Sequence, residues 1–141
     1  MSRFVLDASL SAAWFIPDPE TDYALKVRSR LATGLTAVVP SIWATEMANT
    51  LLKSVRHKSL TEEAVEYALQ QLEILVISGS RISVDSNLKS VREAYAVARR
   101  YQVSAYDGFY LQLAIDAGIP LATLDKGLRA AAVKAGVALL K

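Results

Sequence analysis

Four acidic residues stand at positions from which carboxylates could act together: Asp7, Glu46, Asp107 and Asp125. Two of them end short apolar runs, and the other two fall in the first turns of apolar helical patterns. Carboxylate oxygens suit Mg²⁺ or Mn²⁺, which keep several waters and bind proteins through a few carboxylates. A divalent cation with its water, beside helix N-termini that attract phosphate, has the chemistry needed for phosphodiester hydrolysis.

Each acid also has an ordinary structural explanation. Asp7 and Asp125 precede predicted helices and could cap them, which contributes about 1 kcal/mol each. Ser104 and Asp107 have the spacing of a capping box, and Glu46 could be a solvated helix residue. The combination favours a shared site, because four carboxylates at one edge repel one another unless a cation lies among them.

Two hydroxyl side chains lie next to these acids in the sequence. Ser9 comes two residues after Asp7, and Thr123 comes two residues before Asp125. Each hydroxyl could orient a carboxylate, as groups around a metal site do, or could belong to an ordinary helix start or strand.

Two basic side chains, Lys126 and Arg129, follow Asp125 within about one helical turn. We expect them to position the phosphate backbone of an RNA. The competing interpretation is that they are plain solvated charges, as most basic helix residues are.

The elements that must position these residues are indicated by hydrophobic patterning. Apolar runs at 3–7, 36–40 and 120–125 alternate with helical patterns, which predicts an α/β fold with a mainly parallel sheet. In such a sheet the carboxyl ends of the strands share one edge, where sites form. The patterns also predict helices over 8–15, 20–33, 42–57, 62–75, 86–101, 105–117 and 126–136, a turn at 17–19, strand or connecting pieces at 72–78 and 81–84, and a last strand at 137–140.

Local signals refine three of these helices. Ser41 is predicted to cap the helix that begins at 42, and Thr61 the helix that begins at 62. The helix over 86–101 is predicted to carry four apolar residues on its apolar side: Leu88, Val91, Tyr95 and Val97.

Length and composition exclude several classes of site. The 141 residues fit one domain spanning 1–141. No cysteine is present and His57 is the only histidine, which excludes a disulfide framework, a thiolate metal site and a His-rich metal site. The net charge of +2 is compatible with nucleic-acid binding but is not evidence for it. No apolar run approaches the ~18 residues of a membrane span, so we expect a cytoplasmic protein without membrane association.

Four segments carry a family resemblance, in order along nearly the whole chain: FVLDAS, ATEMANTL, SAYDGFYLQLA and LATLDKGL. Together they resemble the PIN-domain ribonucleases, and in particular the VapC toxins of prokaryotic type II (VapBC) toxin–antitoxin systems. The resemblance implies a PIN-like α/β/α sandwich and Mg²⁺- or Mn²⁺-dependent cleavage of RNA. It also implies a homodimer, and a VapB-like antitoxin whose C-terminal segment blocks the active-site groove.

The resemblance assigns roles by position. Asp7, Glu46, Asp107 and Asp125 match the acidic metal site, and Ser9 and Thr123 match hydroxyl positions of the family. We expect Asp7 and Asp107 to be direct metal ligands. We expect the other two acids to bind through water or to position the nucleophile.

Two other functions remain open on the sequence. A receiver-like phosphoacceptor domain would use an aspartate beside Mg²⁺, but it needs an aspartate pair after the first strand and a lysine ending a late strand. The segments DAS and TLDK fit that pattern poorly. A non-catalytic interaction module whose acids are only helix caps would bind no metal.

Overall fold

The computed structural model describes residues 2–16, 22–77, 81–83 and 88–141. The strands are β1 (Arg3–Leu6), β2 (Thr36–Pro40), β3 (Arg81–Ser83) and β4 (Leu121–Ala122). The helices are α1 (Ala8–Ala12), α2 (Asp22–Ala32), α3 (Ile42–Arg56), α4 (Glu62–Leu72), α5 (Leu88–Tyr101), α6 (Ala105–Ala117) and α7 (Lys126–Lys134), and a π-helical turn (Glu73–Ile77) continues α4.

The four strands form one sheet in the order β3-β2-β1-β4, and every neighbouring pair is parallel. Phe4, Val5 and Leu6 of the central strand β1 are fully buried, as expected for a parallel sheet covered on both faces. Because all strands run the same way, the chain leaves β1, β2 and β4 at the same carboxyl edge.

Helices cover this sheet as the alternating pattern predicts. Helix α6 packs against β1, β2 and β4, and α5 packs on the outside of α6. The π-helical turn packs against β2, and α1 packs against α3. The predicted PIN-like α/β/α sandwich is therefore confirmed. No helix among the described residues is long and apolar enough to cross a bilayer.

Several predicted boundaries are confirmed. Helix α6 spans 105–117 as predicted, and Gly118 ends it at φ 63°. The hydroxyl of Thr61 accepts a hydrogen bond from the backbone amide of Ala64, so the predicted cap of α4 is present. The predicted last strand, 137–140, is reduced to a single parallel bridge between Leu139 and Leu121.

Other predictions are wrong for local reasons. Ser41 does not cap α3 within the described chain, because its own backbone is already helical (φ −58°, ψ −31°). The described part of the apolar run over 72–78 contains no strand, because Glu73–Ile77 continues α4 as a π-helical turn. Strand β4 stops at Ala122, short of the predicted 125. The predicted turn at 17–19, and the ends of the predicted elements at 20–21, 78, 84 and 86–87, lie outside the described residues.

The predicted apolar side of α5 is largely exposed. Leu88, Val91 and Tyr95 are each more than half exposed, while Val97 packs against the core. The buried residues of this helix are Ala94 and Ala98, which face α6.

Candidate active site

The carboxyl edge of the sheet brings the four predicted acids together. Asp7 directly follows β1, and Asp125 follows β4 and begins α7. Glu46 lies in the second turn of α3, which follows β2, and Asp107 lies in the first turn of α6. The charges of the other three acids all raise the pKa of Asp107, so the four carboxylates interact across this edge.

Asp7 is the most deeply buried of the four, with only 4% of its surface exposed. Its Oδ2 atom accepts hydrogen bonds from the hydroxyls of Ser9 and Thr123, both at 2.6 Å. Burial raises the pKa of Asp7 above its usual value, the two hydroxyl bonds act in the opposite direction, and the charge of Asp125 adds to the increase. Asp7 makes no side-chain N-cap bond in the described chain, although the backbone amide of Ala8 donates to its carboxylate and lowers its pKa. Its bonds to Ser9 and Thr123 show that Asp7 is not only a helix cap.

The two hydroxyls are oriented by backbone amides. Ser9 Oγ accepts from the amide of Leu124 at 3.3 Å, and Thr123 Oγ1 accepts from the amide of Asp125 at 3.0 Å. Because a hydroxyl has one proton, accepting from an amide leaves that proton to be donated to Asp7. The sequence-based prediction that these hydroxyls could orient a carboxylate therefore matches their geometry.

Glu46 is half-buried and is held by a residue that none of the sequence motifs indicates as part of the site. The hydroxyl of Tyr110, a fully buried residue of α6, donates a hydrogen bond to Oε1 of Glu46 at 2.7 Å. Burial raises the pKa of Glu46, the Tyr110 bond lowers it, and the charge of Asp7 raises it. Burial, followed by the bond to Glu46, raises the pKa of Tyr110, so its hydroxyl remains a donor.

The helix that carries Glu46 is fixed by a second buried contact. Trp43 Nε1 donates to Ser11 Oγ of α1 at 3.1 Å. The same Ser11 Oγ lies 3.2 Å from Sδ of Met47, next in sequence to Glu46. Helix α3 is therefore attached to α1, which begins immediately after Asp7.

Asp107 lies in the first turn of α6 and interacts with all three of the other acids. Burial, followed by the charges of Asp125, Asp7 and Glu46, raises the pKa of Asp107 to about 6. Its backbone amide donates to the hydroxyl of Ser104 at 3.1 Å, so the predicted cap of α6 is present as well. A side-chain hydrogen bond from Ser104 acts in the opposite direction and lowers the pKa of Asp107, so this carboxylate interacts with both the cap and the other acids.

Asp125 serves as a helix cap in addition to lying near the other acids. Its Oδ1 atom accepts from the amide of Leu128 at 2.8 Å, which confirms the capping interpretation for this residue. The exposed side of this carboxylate still faces Asp7 and Asp107, since its charge raises the pKa of both.

The two basic residues near Asp125 have different surroundings. Arg129 donates from Nη1 to the carbonyl oxygen of Thr123 at 3.0 Å, and its guanidinium lies 5.2 Å from the ring centroid of Tyr23. These contacts brace the segment between β4 and α7. Lys126 is exposed at the start of α7. RNA binding by Lys126 and Arg129 stays a prediction.

The donor set can be tested for a divalent cation. Among the described residues, the one ion pair within 4.0 Å joins Lys89 to Glu93, so the four site carboxylates have no basic partner there. No three acidic or histidine side chains of the described chain lie close enough to ligate one ion directly. Mg²⁺ is usually held by one or two carboxylates with several waters, so mutually repelling, half-buried carboxylates fit it.

The chain is similar to known proteins both in sequence and in fold. Residues 4–134 match the model of the PIN domain. Ribonuclease VapC3 of Pyrobaculum aerophilum is 30% identical over 126 residues, which make up 89% of this chain and 92% of that protein. In fold, PAE2754 from Pyrobaculum aerophilum matches with a TM-score of 0.65 at 22% identity, covering 92% of this chain and 84% of the other. FitAcB from Neisseria gonorrhoeae matches with a TM-score of 0.61 at 16% identity, covering 98% and 96%. The chain belongs to the PIN domain family.

Proposed function

We propose that this protein is a Mg²⁺- or Mn²⁺-dependent endoribonuclease that acts as the toxin of a toxin–antitoxin pair. The observation that carries the proposal is the convergence of Asp7, Glu46, Asp107 and Asp125 at one edge without a basic partner among the described residues. Similarity to a protein named Ribonuclease VapC3 over most of both chains supports the reaction and the toxin role.

The side chains have distinct roles in this proposal. Asp7 is the fixed ligand, since two oriented hydroxyls hold its carboxylate. Asp107 is the second direct ligand, and it is deprotonated when the cation binds because the positive charge offsets the neighbouring carboxylates. Glu46 and Asp125 bind through water or orient the attacking water. When bound, the cation supplies an activated nucleophile and positive charge at the scissile phosphate.

The surroundings of the acids suit an RNA strand. An open groove of about 300 Å³ beside Asp125 is lined mainly by small and aliphatic side chains, including Ala12, Ala13 and Leu124. The first turn of α7 adds the exposed Lys126, which is suited to contact with a phosphate. Lys126 is therefore a better candidate than Arg129 for contact with the RNA backbone.

The test uses antitoxin-free protein and total cellular RNA, transfer RNAs included, in Mg²⁺ or Mn²⁺ with an EDTA control. We expect discrete fragments from the wild type and none with EDTA. Asp107→Asn should abolish cleavage and leave the protein folded, because it removes a repelled charge and keeps the backbone cap.

A matched control comes from the same helix. Asp116 lies in the last turn of α6, where Gln112 Nε2 donates to its carboxylate at 2.7 Å. Asp116→Asn should therefore cleave like the wild type. Equal cleavage by Asp107→Asn would remove Asp107 from the active site, and unfolding of that variant would support a purely structural role.

The proposed partners are a second copy of the chain and a VapB-like antitoxin. Light scattering should give twice the mass of one chain. An antitoxin bound in the groove beside Asp125 should stop cleavage by the wild type. A monomeric mass, or cleavage unaffected by the co-expressed product of a neighbouring gene, would contradict these assignments.

A further inference from the structure

We infer that Tyr110 is a positioning residue whose buried hydroxyl fixes the orientation of the Glu46 carboxylate toward the other acids. The inference rests on the proposed function, because it concerns how the acidic site is prepared for a divalent cation. It adds to the acidic site one buried and uncharged residue, Tyr110.

The contact has the properties of a fixed support. Tyr110 is 0% exposed, and its ring belongs to the hydrophobic core beneath the site. Its hydroxyl lies 2.7 Å from Oε1 of Glu46. A ring packed in the core has little rotational freedom, so the position of its hydroxyl is set by the fold rather than by the carboxylate.

Glu46 needs such a support more than the aspartates do. A glutamate side chain has one more rotatable bond than an aspartate, so ordering it costs more rotamer entropy. Asp7 is held by two hydroxyls and Asp125 by a backbone amide. The Tyr110 hydroxyl has the corresponding role for Glu46.

Tyr110 also connects Asp107 and Glu46 through one helix. It lies three residues after Asp107 on α6, so the two side chains are neighbours about one turn apart on the same helix. One helix thereby carries one carboxylate and holds another from α3. The distance between the two acids then depends on a rigid element.

The test removes the hydroxyl alone. Tyr110→Phe keeps the ring in the core and leaves Glu46 free to rotate. We expect the dissociation constant for Mn²⁺, measured by electron paramagnetic resonance without RNA, to rise about tenfold or more. In cleavage assays, kcat should fall while KM for RNA stays constant.

A matched control loses a tyrosine hydroxyl elsewhere. Tyr95 of α5 is more than half exposed, and its hydroxyl accepts a hydrogen bond from Arg99 Nη1 at 3.3 Å. Tyr95→Phe should remove that hydroxyl and leave Mn²⁺ affinity unchanged. Thermal denaturation of both variants checks that they are folded.

A double-mutant cycle separates positioning from a general structural role. If Tyr110 acts through Glu46, Tyr110→Phe should have no further effect on Mn²⁺ affinity in a Glu46→Gln background. Unchanged affinity in Tyr110→Phe, or an equal loss in both backgrounds, would overturn this inference and leave the proposed function standing. Failure of the wild type to bind Mn²⁺ would overturn the proposed function, and this inference with it.

Discussion

At the residue scale, Thr123 is the side chain that joins two strand ends of the site. Its hydroxyl donates to Asp7, which follows β1, and accepts from the amide of Asp125, which begins α7. Thr123 is fully buried and Asp7 is 4% exposed, so water does not replace the hydroxyl at the Asp7 carboxylate. Loss of a partner at a buried polar group costs about 1–3 kcal/mol.

Thr123→Val tests this bridge, because valine has the shape of threonine without the hydroxyl. We expect the free energy of unfolding, measured in urea, to fall by about 1–3 kcal/mol. RNA cleavage should fall too, since Asp7 loses one of its two orienting bonds. Thr33→Val is the control: Thr33 is exposed and donates to the carbonyl oxygen of Arg30, so its loss should stay within about 0.5 kcal/mol. Equal losses in the two variants would contradict the bridge.

Residue-level prediction from the sequence succeeds where partners are local. Ser9 lies two residues from Asp7 and donates to it, so this pair could be predicted. Thr123 lies two residues from Asp125 but donates to the carboxylate of Asp7, 116 residues away, which its position in the sequence does not indicate. Tyr110 could not be predicted, because it lies 64 residues from Glu46 and looks like any core aromatic. Its role depends on how α6 packs against α3, which the spacing of motifs does not specify.

At the element scale, the contact between α5 and α6 sets the position of Asp107. A Cβ atom on Gly108 would lie 2.6 Å from the backbone oxygen of Ala94 and 3.2 Å from the Cβ of Ala98. The two helices can approach this closely because position 108 has no side chain. Gly108 is adjacent to Asp107, so the helix separation and the carboxylate position are coupled.

Gly108→Ala should therefore destabilise the protein, although Gly to Ala within a helix normally stabilises by about 0.5–1 kcal/mol. The overlap is with backbone, so the helices must separate, and overpacking of this kind costs about 1–3 kcal/mol. Denaturation in urea should show a lower free energy of unfolding. Ala98→Gly in the same chain should fail to restore it, since the nearer atom is the Ala94 oxygen. A stabilised Gly108→Ala variant would show that α5 moves away at no cost.

The same contact explains why the side of α5 with the largest apolar residues is not the side that packs against α6. Periodicity groups Leu88, Val91 and Tyr95 on one side of the helix but does not show which side is buried. Close approach at Gly108 instead requires small residues, and Ala94 and Ala98 fill that side. Helix boundaries are easier to predict from the sequence than buried sides, because the caps at Thr61 and Ser104 are local signals.

At the scale of the whole molecule, the alternation of strands and helices was sufficient to predict the parallel sheet and the edge where the acids meet. It is insufficient for short strands, because β4 pairs through only two residues and Glu73–Ile77 continues a helix. The site that results concentrates negative charge in a chain whose net charge is +2. Stability and metal binding should therefore be linked through the protonation of this edge.

The sign of that linkage follows from the raised pKa values. The folded-state pKa of Asp107 is about 6 and its ordinary value is 3.8, and the pKa values of Asp7 and Glu46 are also raised. Between about pH 4 and pH 6 the folded protein thus binds more protons at these groups than the unfolded chain does. The stability contributed by protonation of these carboxylates is fully present below their ordinary pKa values. It is lost as the pH rises through the folded-state pKa of Asp107, about 6.

We therefore expect metal-free protein to have a higher melting temperature at pH 5 than at pH 7, and Asp107→Asn to reduce the difference. Saturating Mn²⁺ should raise the melting temperature more at pH 7, because a cation binds the deprotonated carboxylates. At a free concentration of 100 times Kd the gain is about 2.7 kcal/mol by mass action. Differential scanning calorimetry with EDTA or Mn²⁺ at both pH values measures both effects, and Asp116→Asn should behave like the wild type. If Mn²⁺ stabilises equally at the two pH values, or if EDTA-treated protein is more stable at pH 7, then the four carboxylates do not share a cation.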